Sequence, residues 1–372
     1  MVESSVHLKA QFGEVLTPPA LVHEMVELLP SALLGNTESR WLDVGAGRGA
    51  FSSELESRFC REGMKTEGIR ANMLYMSEIQ ARNVEYLRMK FEGCPHIFHG
   101  DFLAESSSLG NRRFDCVIGN PPFNSNALQS IPARKNTSNE RARTIWPCFI
   151  KRSLELLKPD GLLLVIIPSI WLRPSRRDIH KVLFNQRLLK VISLSSSQTF
   201  AAFQGCAQTP TTIVLLQKAA PRSHFMIKSQ GDTSWTEIPH QPKLPTPLSA
   251  FNLHRQLARY VEKYGFMHVD KSNPPSKKIS LSSEATAEHP YKCIGTCKLQ
   301  DGIPTLCIEY ANTPCKWAGR PKVVLAHKIH GYPYIDATGD YGISRRDNYI
   351  FEHSDLQVLQ LVARYLSSGI AH

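Results

Sequence analysis

Residues 41–49 read Trp41-Leu42-Asp43-Val44-Gly45-Ala46-Gly47-Arg48-Gly49. A short apolar run that breaks into alternating glycines is a strand entering a tight turn, and the residues beyond read as a helix. Glycine lets the backbone approach a ligand closely, and a helix N-terminus offers free N–H groups. The spacing here is G-x-G-x-G with Asp43 two residues ahead, which departs from the G-x-G-x-x-G dinucleotide fingerprint.

Outward from this turn, short apolar runs recur through residues 40–217. Trp41–Val44, Met73–Ile79, Ile97–His99, Phe114–Ile118, Leu162–Ile167, Val191–Leu194 and Ile213–Leu216 read as strands. Amphipathic stretches such as Ile145–Leu157 lie between most of them, and that one ends at Lys158-Pro159-Asp160-Gly161, where Pro and Gly are stop signals. Strand–helix alternation predicts an α/β domain with a parallel sheet covered on both faces. Ahead of it, Thr17-Pro18-Pro19 predicts a helix with Thr17 as N-cap and proline at its first position.

Two further strand ends carry ligand-binding residue types. Glu78 closes the second strand, where a carboxylate can accept both hydroxyls of a ribose. After the third strand, Asp101 can accept an adenine amino hydrogen and Phe102 can pack on the ring. Together with the glycine turn they point to a cofactor with an adenosine moiety.

The most specific segment is Phe114-Asp115-Cys116-Val117-Ile118-Gly119-Asn120-Pro121-Pro122-Phe123. Two prolines cannot continue a sheet, and they stiffen the residues before them. An adenine amino nitrogen is a poor nucleophile because its lone pair is delocalised into the ring. The Asn120 side-chain oxygen and the Pro121 carbonyl can each accept one of its hydrogens, and Phe123 can stack on the base. Positioning and hydrogen bonding then expose the lone pair without a strong general base.

The order of these pieces resembles the amino-methyltransferases, and within them the gamma class of N6-adenine DNA methyltransferases. Phe12-Gly13-Glu14-Val15-Leu16-Thr17-Pro18-Pro19 comes first, then Asp43–Gly49, Glu78, Asp101-Phe102 and Asn120–Phe123. The similarity covers roughly residues 10–218. It implies a Rossmann-like S-adenosylmethionine-dependent methyltransferase domain, its sheet mostly parallel with the last strand antiparallel, and a smaller C-terminal target-recognition domain. By resemblance, Phe12, Thr17, Pro19, Asp43, Gly45, Gly47, Glu78, Asp101 and Phe102 contact S-adenosylmethionine. Asn120, Pro121, Pro122 and Phe123 hold the target base, with a later aromatic, Phe203 in preference to Phe200, stacking on it.

Past Lys218 the texture changes. Residues 219–248 are rich in Pro, Ser, Thr and Gln and read as a linker, so the catalytic domain is expected over 1–220 and target recognition over 221–372. The net charge is +11, with 18 Lys and Arg against 13 Asp and Glu over 221–372 and 26 against 20 before it. Both parts are thus mildly basic, as suits double-stranded DNA. Arg134, Lys135, Arg141 and Arg143 after the motif are candidate phosphate contacts, as are Arg173, Arg176 and Arg177. In the second part Lys322, Lys328, Arg345, Arg346, Tyr332 and Tyr334 are candidate contacts to DNA.

No signal-like leader or membrane-length apolar run stands out, so a soluble, cytoplasmic protein is expected. Nine cysteines without paired knuckles suit free thiols in a reducing compartment, and no metal is expected at Cys293, Cys297, Cys307 and Cys315. Methylation of RNA adenine or of a protein glutamine amide poses the same nitrogen chemistry and stays as an alternative, as does an inactive nucleic-acid-binding subunit. A companion restriction endonuclease, and whether the chain is monomer or dimer, are left open.

Overall fold

A computed structural model of the chain describes residues 15–104, 109–124, 144–172, 179–240, 251–265, 267–273, 278–300, 303–326, 332–345 and 348–368. They divide into two units, Met1–Arg259 and Tyr260–His372.

The first unit is built on a nine-stranded sheet. Its strands are β1 (Trp41–Val44), β2 (Leu74–Glu78), β3 (Ile97–His99), β4 (Phe114–Gly119), β5 (Leu157–Pro168), β6 (Arg187–Leu194), β7 (Thr211–Gln217), β8 (His224–Ser229) and β9 (Thr236–Pro239). They lie in the order β3-β2-β1-β4-β5-β7-β6-β8-β9. β1 pairs in parallel with β2 and β4, and β4 with β5, whereas β7 runs antiparallel to both β5 and β6. The longer helices are α1 (Pro19–Val26), α2 (Ala50–Arg61), α3 (Ala81–Lys90), α4 (Trp146–Leu156), α5 (Ile179–Phe184) and α6 (Ser196–Ala202).

Burial on both faces explains why the strands read as unbroken apolar runs. In β5, Leu163, Val165 and Ile167 enter one core with Phe114, Trp146 and Ile150. Leu164 and Ile166 enter the other, with Trp41, Leu55 and Phe59. The strand order reverses at β1, which has β2 on one side and β4 on the other. In open α/β sheets, ligands bind beyond the strand ends at such a reversal. The glycine turn leaves β1 there, and Asn120-Pro121-Pro122-Phe123 leaves β4.

The stretch expected as a linker holds β8 and β9. β8 pairs in parallel with β6, and β9 antiparallel with β8, so the sheet extends well past residue 220. The reason is local: Phe225, Ile227 and Ile238 are buried in the first core, and Trp235 lies beneath the ammonium groups of Lys190 and Lys228. The first helix also differs from expectation. Pro18, not Thr17, takes the N-cap position, and no side chain caps the helix.

Helix α7 (Phe251–Tyr264) follows. The second unit has two four-stranded sheets, one of β10 (Asp270–Lys271), β17 (Asn348–Glu352), β14 (Lys322–Ala326) and β15 (Pro333–Asp336). The other comprises β11 (Leu281–Ser282), β13 (Ile303–Ala311), β12 (Tyr291–Gln300) and β16 (Gly342–Ile343), and α8 (Leu356–Leu366) follows β17. Cys293, Cys297 and Cys315 are buried, and all nine cysteines are free thiols. Among the described residues no cluster of three or more His, Cys, Asp or Glu side chains could hold a metal ion. Among them, too, no helix is long and apolar enough to cross a membrane.

Candidate active site

The turn after β1 depends on left-handed backbone. Gly45, Gly47 and Gly49 have φ of 64°, 54° and 72°, a region that other L-residues rarely enter. Gly49 is also constrained by space, because a Cβ there would lie 2.6 Å from the Phe91 ring and 2.8 Å from Leu87 of α3. Two acids bind this turn to its surroundings. Asp43 Oδ2 accepts from the Ser52 N–H at 3.2 Å and from its hydroxyl at 2.8 Å, which ties β1 to the first turn of α2. Glu78 Oε2 accepts from Gly47 N–H at 2.7 Å, and Oε1 from Gln80 N–H at 2.8 Å, joining the turn to the start of α3.

Asp43 is the electrostatic peculiarity of the site. Its Oδ1 is buried and has no partner among the described residues. Burial pushes its carboxyl up to about 7, against the lowering effect of the two Ser52 bonds, and the neighbouring Glu78 carboxylate pushes it further.

β4 delivers the second loop to the same place. Val44 and Gly119 are register partners, and a Cβ on Gly119 would lie only 2.6 Å from the Val44 carbonyl. Pro122 Cδ comes within 3.9 Å of the position a Gly45 Cβ would occupy. The Asn-Pro-Pro-Phe segment and the glycine turn are therefore in contact. Pro121 is buried, and Phe123 is half-buried against the first core. Asn120 Nδ2 donates to the Val15 carbonyl and to Thr17 Oγ1, each at 3.1 Å. Thr17 is buried, and Pro19 begins α1.

Other expected site residues lie elsewhere. Asp101 is exposed, and its Oδ1 accepts from Leu103 N–H at 2.9 Å in a local turn. The Phe102 ring is buried in the core, stacked on Phe149 with centroids 5.2 Å apart, rather than open to a ligand. Phe203 is 2% exposed within the second core, whereas Phe200 is 49% exposed. Phe203, preferred from sequence, is thus packed in the core while Phe200 is exposed, because the turn after α6 carries Phe203 inward. Lys322 is fully buried and bonded to Asp336, so it cannot meet DNA. The Arg345 guanidinium is held by Glu309. Phe12, Arg134, Lys135, Arg141, Arg143, Arg173, Arg176, Arg177, Lys328 and Arg346 lie outside the described residues. Sequence reasoning did not single out Ser52 or Val15. Ser52 carries a faint signal, a hydroxyl in the first turn after the glycines, while Val15 acts through its backbone and carries none.

The Eco57I restriction-modification methylase family matches residues 37–200, which span β1 to α6 and both loops. Residues 37–200 belong to that family. The methylase domain is also similar to curated relatives. The tRNA1(Val) (adenine(37)-N6)-methyltransferase of Porphyromonas gingivalis is 32% identical over 150 residues, 38% of this chain and 54% of that protein. The type II restriction enzyme and methyltransferase RM.Eco57I of Escherichia coli is 33% identical over 109 residues, 27% of this chain and 11% of that protein. The chain spans about half the length of the tRNA methyltransferase it matches. Among solved structures, the modification subunit of a type I restriction enzyme from Vibrio vulnificus aligns with a TM-score of 0.46 at 16% identity, covering 68% of this chain and 54% of the other.

The methyl donor of this methylase domain is S-adenosylmethionine. The residues fit it. Gly45 and Gly47 put no side chain of their own in the turn, the Glu78 carboxylate lies beside it, and the Asp43 oxygen without a partner among the described residues is an acceptor for a cationic or N–H group.

Proposed function

We propose that the chain is an adenine-N6 methyltransferase whose substrate is double-stranded DNA, with the target base flipped out of the helix. The observation that carries this reading is the presentation of Asn120. Its two N–H groups are engaged by Val15 and Thr17, and its Oδ1 accepts nothing among the described residues. An acceptor held ready at the reversal point of the sheet, next to a cofactor turn, suits a substrate that brings hydrogens on a planar nitrogen.

In this mechanism Asp43, Glu78, Gly45 and Gly47 would hold S-adenosylmethionine. When bound, the cofactor supplies an electrophilic methyl on a sulfonium. Asn120 Oδ1 and the Pro121 carbonyl each accept one hydrogen of the target amine, which turns the nitrogen lone pair out of the ring plane. Phe123 and the exposed Phe200 would offer apolar faces to an extruded base. Extrusion is required because a stacked duplex hides the amine. The reaction needs acceptors in place rather than a strong base.

DNA is favoured by the restriction-modification family that covers the methylase domain and by the second, basic part of the chain, to which we assign target recognition. The similarity to a tRNA adenine methyltransferase favours RNA as the second reading. Nucleoside mass spectrometry decides between them. DNA and RNA are taken from a methylation-deficient host expressing the parent chain or Asn120→Ala. N6-methyladenine in DNA with the parent alone is the expected result. Its appearance only in RNA transfers the assignment to RNA, and its absence from both overturns adenine as substrate.

A further inference from the structure

An asparagine side chain can present either end of its amide, and the two ends have opposite chemistry. Only the oxygen can accept a hydrogen from a target amine, and an amide turned by 180° would present donors to donors. The rotation of Asn120 therefore matters as much as its place in the loop. A rigid Asn-Pro-Pro backbone does not fix it, because the side-chain torsion is free of the ring constraints of the prolines.

The segment ahead of α1 fixes it instead. The Val15 carbonyl has no hydrogen to give, so the amide end that faces it at 3.1 Å must be the NH2. The second N–H of the same nitrogen meets Thr17 Oγ1, also at 3.1 Å. Both donors are used, and Oδ1 is left pointing away from the segment. The segment is itself anchored. Pro18 restricts Thr17 to extended backbone, and Leu21, Val22, Met25 and Val26 of α1 are buried in the second core. The two contacts span 105 and 103 residues of sequence. The Thr17 hydroxyl, expected from sequence to cap α1, is used here.

We propose that Val15 and Thr17 are positioning residues for Asn120, locking its amide so that Oδ1 is the end presented to the substrate nitrogen. This rests on the reading that Asn120 receives the target amine. It gives Thr17 a task separate from the cofactor contact that resemblance assigns to it.

Thr17→Val keeps the branched shape and removes the acceptor, while Thr17→Ser keeps the hydroxyl. The expected result is a fall in kcat of about tenfold for Thr17→Val, the scale of one lost hydrogen bond. The dissociation constant for S-adenosylmethionine, measured by calorimetry, should stay within about threefold, and Thr17→Ser should recover most of the turnover. Unchanged kcat in Thr17→Val overturns the proposal. So does a loss that disappears at saturating S-adenosylmethionine, since Thr17 would then act on cofactor binding alone. A second measurement needs no activity. In protein labelled with 15N at asparagine, the Asn120 side-chain NH2 is assigned by its absence in Asn120→Ala. Thr17→Val should shift that resonance and speed its hydrogen exchange, and an unmoved resonance overturns the proposal. If neither DNA nor RNA adenine is methylated by the parent chain, the functional reading fails while the amide lock is still judged by this signal.

Discussion

Asp43 is held in a buried environment that disfavours its charge. Its carboxyl sits at about 7 in the folded chain against 3.8 in the ordinary state, mainly because burial disfavours the charge. A folded-state value raised above the unfolded one gives stability that is fully present below the unfolded value. That stability is lost as pH rises through the folded value. Between pH 5 and pH 8 the cofactor-free protein should lose roughly 3 kcal/mol on this account. Asp43→Asn has no proton to lose, so its stability should overtake or approach that of the parent as pH rises. Urea titrations of both proteins at pH 5 and pH 8 check this, and a difference between them that does not change with pH rules it out. The same residue shows what a sequence can disclose. Asp43, Glu78 and Asn120 were legible because each lies at or within one residue of the end of an apolar run, Asp43 ahead of the glycine turn and Asn120 between glycine and proline. Phe203 and Lys322 were not, since an aromatic or a lysine carries no mark of whether the fold turns it inward.

Among the elements, strands were legible as short apolar runs both inside the sheet, as β1, and at its edge, as β3, whereas β5 and β6 begin five and four residues before their expected bounds. Trp41–Val44 and Ile97–His99 have the expected bounds, and β2, β4 and β7 differ from expectation by one or two residues at an end. β8 and β9 escaped notice because they are short and set among Pro, Ser and Thr. Their burial comes from meeting β6, which is distant in sequence and cannot be read from composition. The contact of β1 with β4 offers a sharper test of how elements make the site. Gly119 lies where a methyl group would come within 2.6 Å of the Val44 carbonyl, a backbone atom that cannot swing aside. Gly119→Ala should therefore push the Asn-Pro-Pro-Phe loop away from the glycine turn. We expect a loss of about 1–3 kcal/mol in stability, the scale of overpacking, and a fall in turnover of at least tenfold. A thermal melt and a methylation assay on the same preparation check both. Normal turnover in a folded variant would mean that the loop does not depend on this approach.

At the scale of the whole molecule, the two units can be separated by where their stability lies. In the second unit, the Lys322 ammonium is completely buried. It donates to Asp336 and to the carbonyls of Trp317 and Arg320. Asp336 also accepts from the N–H groups of Asp340 and Tyr341, so one ion pair fastens β14, β15 and the turn beyond. Burial lowers the lysine below its ordinary value, and the Asp336 carboxylate opposes that only in part. Removing one member of such a pair leaves a buried charge unmatched, at a cost of about 3–5 kcal/mol. Asp336→Asn should therefore loosen residues 260–368 and leave the methylase domain intact, because no hydrogen bond of this pair reaches Asp43, Glu78 or Asn120. Hydrogen exchange followed by peptide mass spectrometry should show lost protection in β14, β15 and β17 with β1, β4 and β5 unchanged. Binding of S-adenosylmethionine should hold within about threefold, while retention of the cognate DNA falls by an order of magnitude or more. If DNA retention survives the loosening of the second unit, target recognition belongs to the methylase domain instead. If cofactor binding falls with it, the units are energetically one body, and the separate roles assigned to them do not hold.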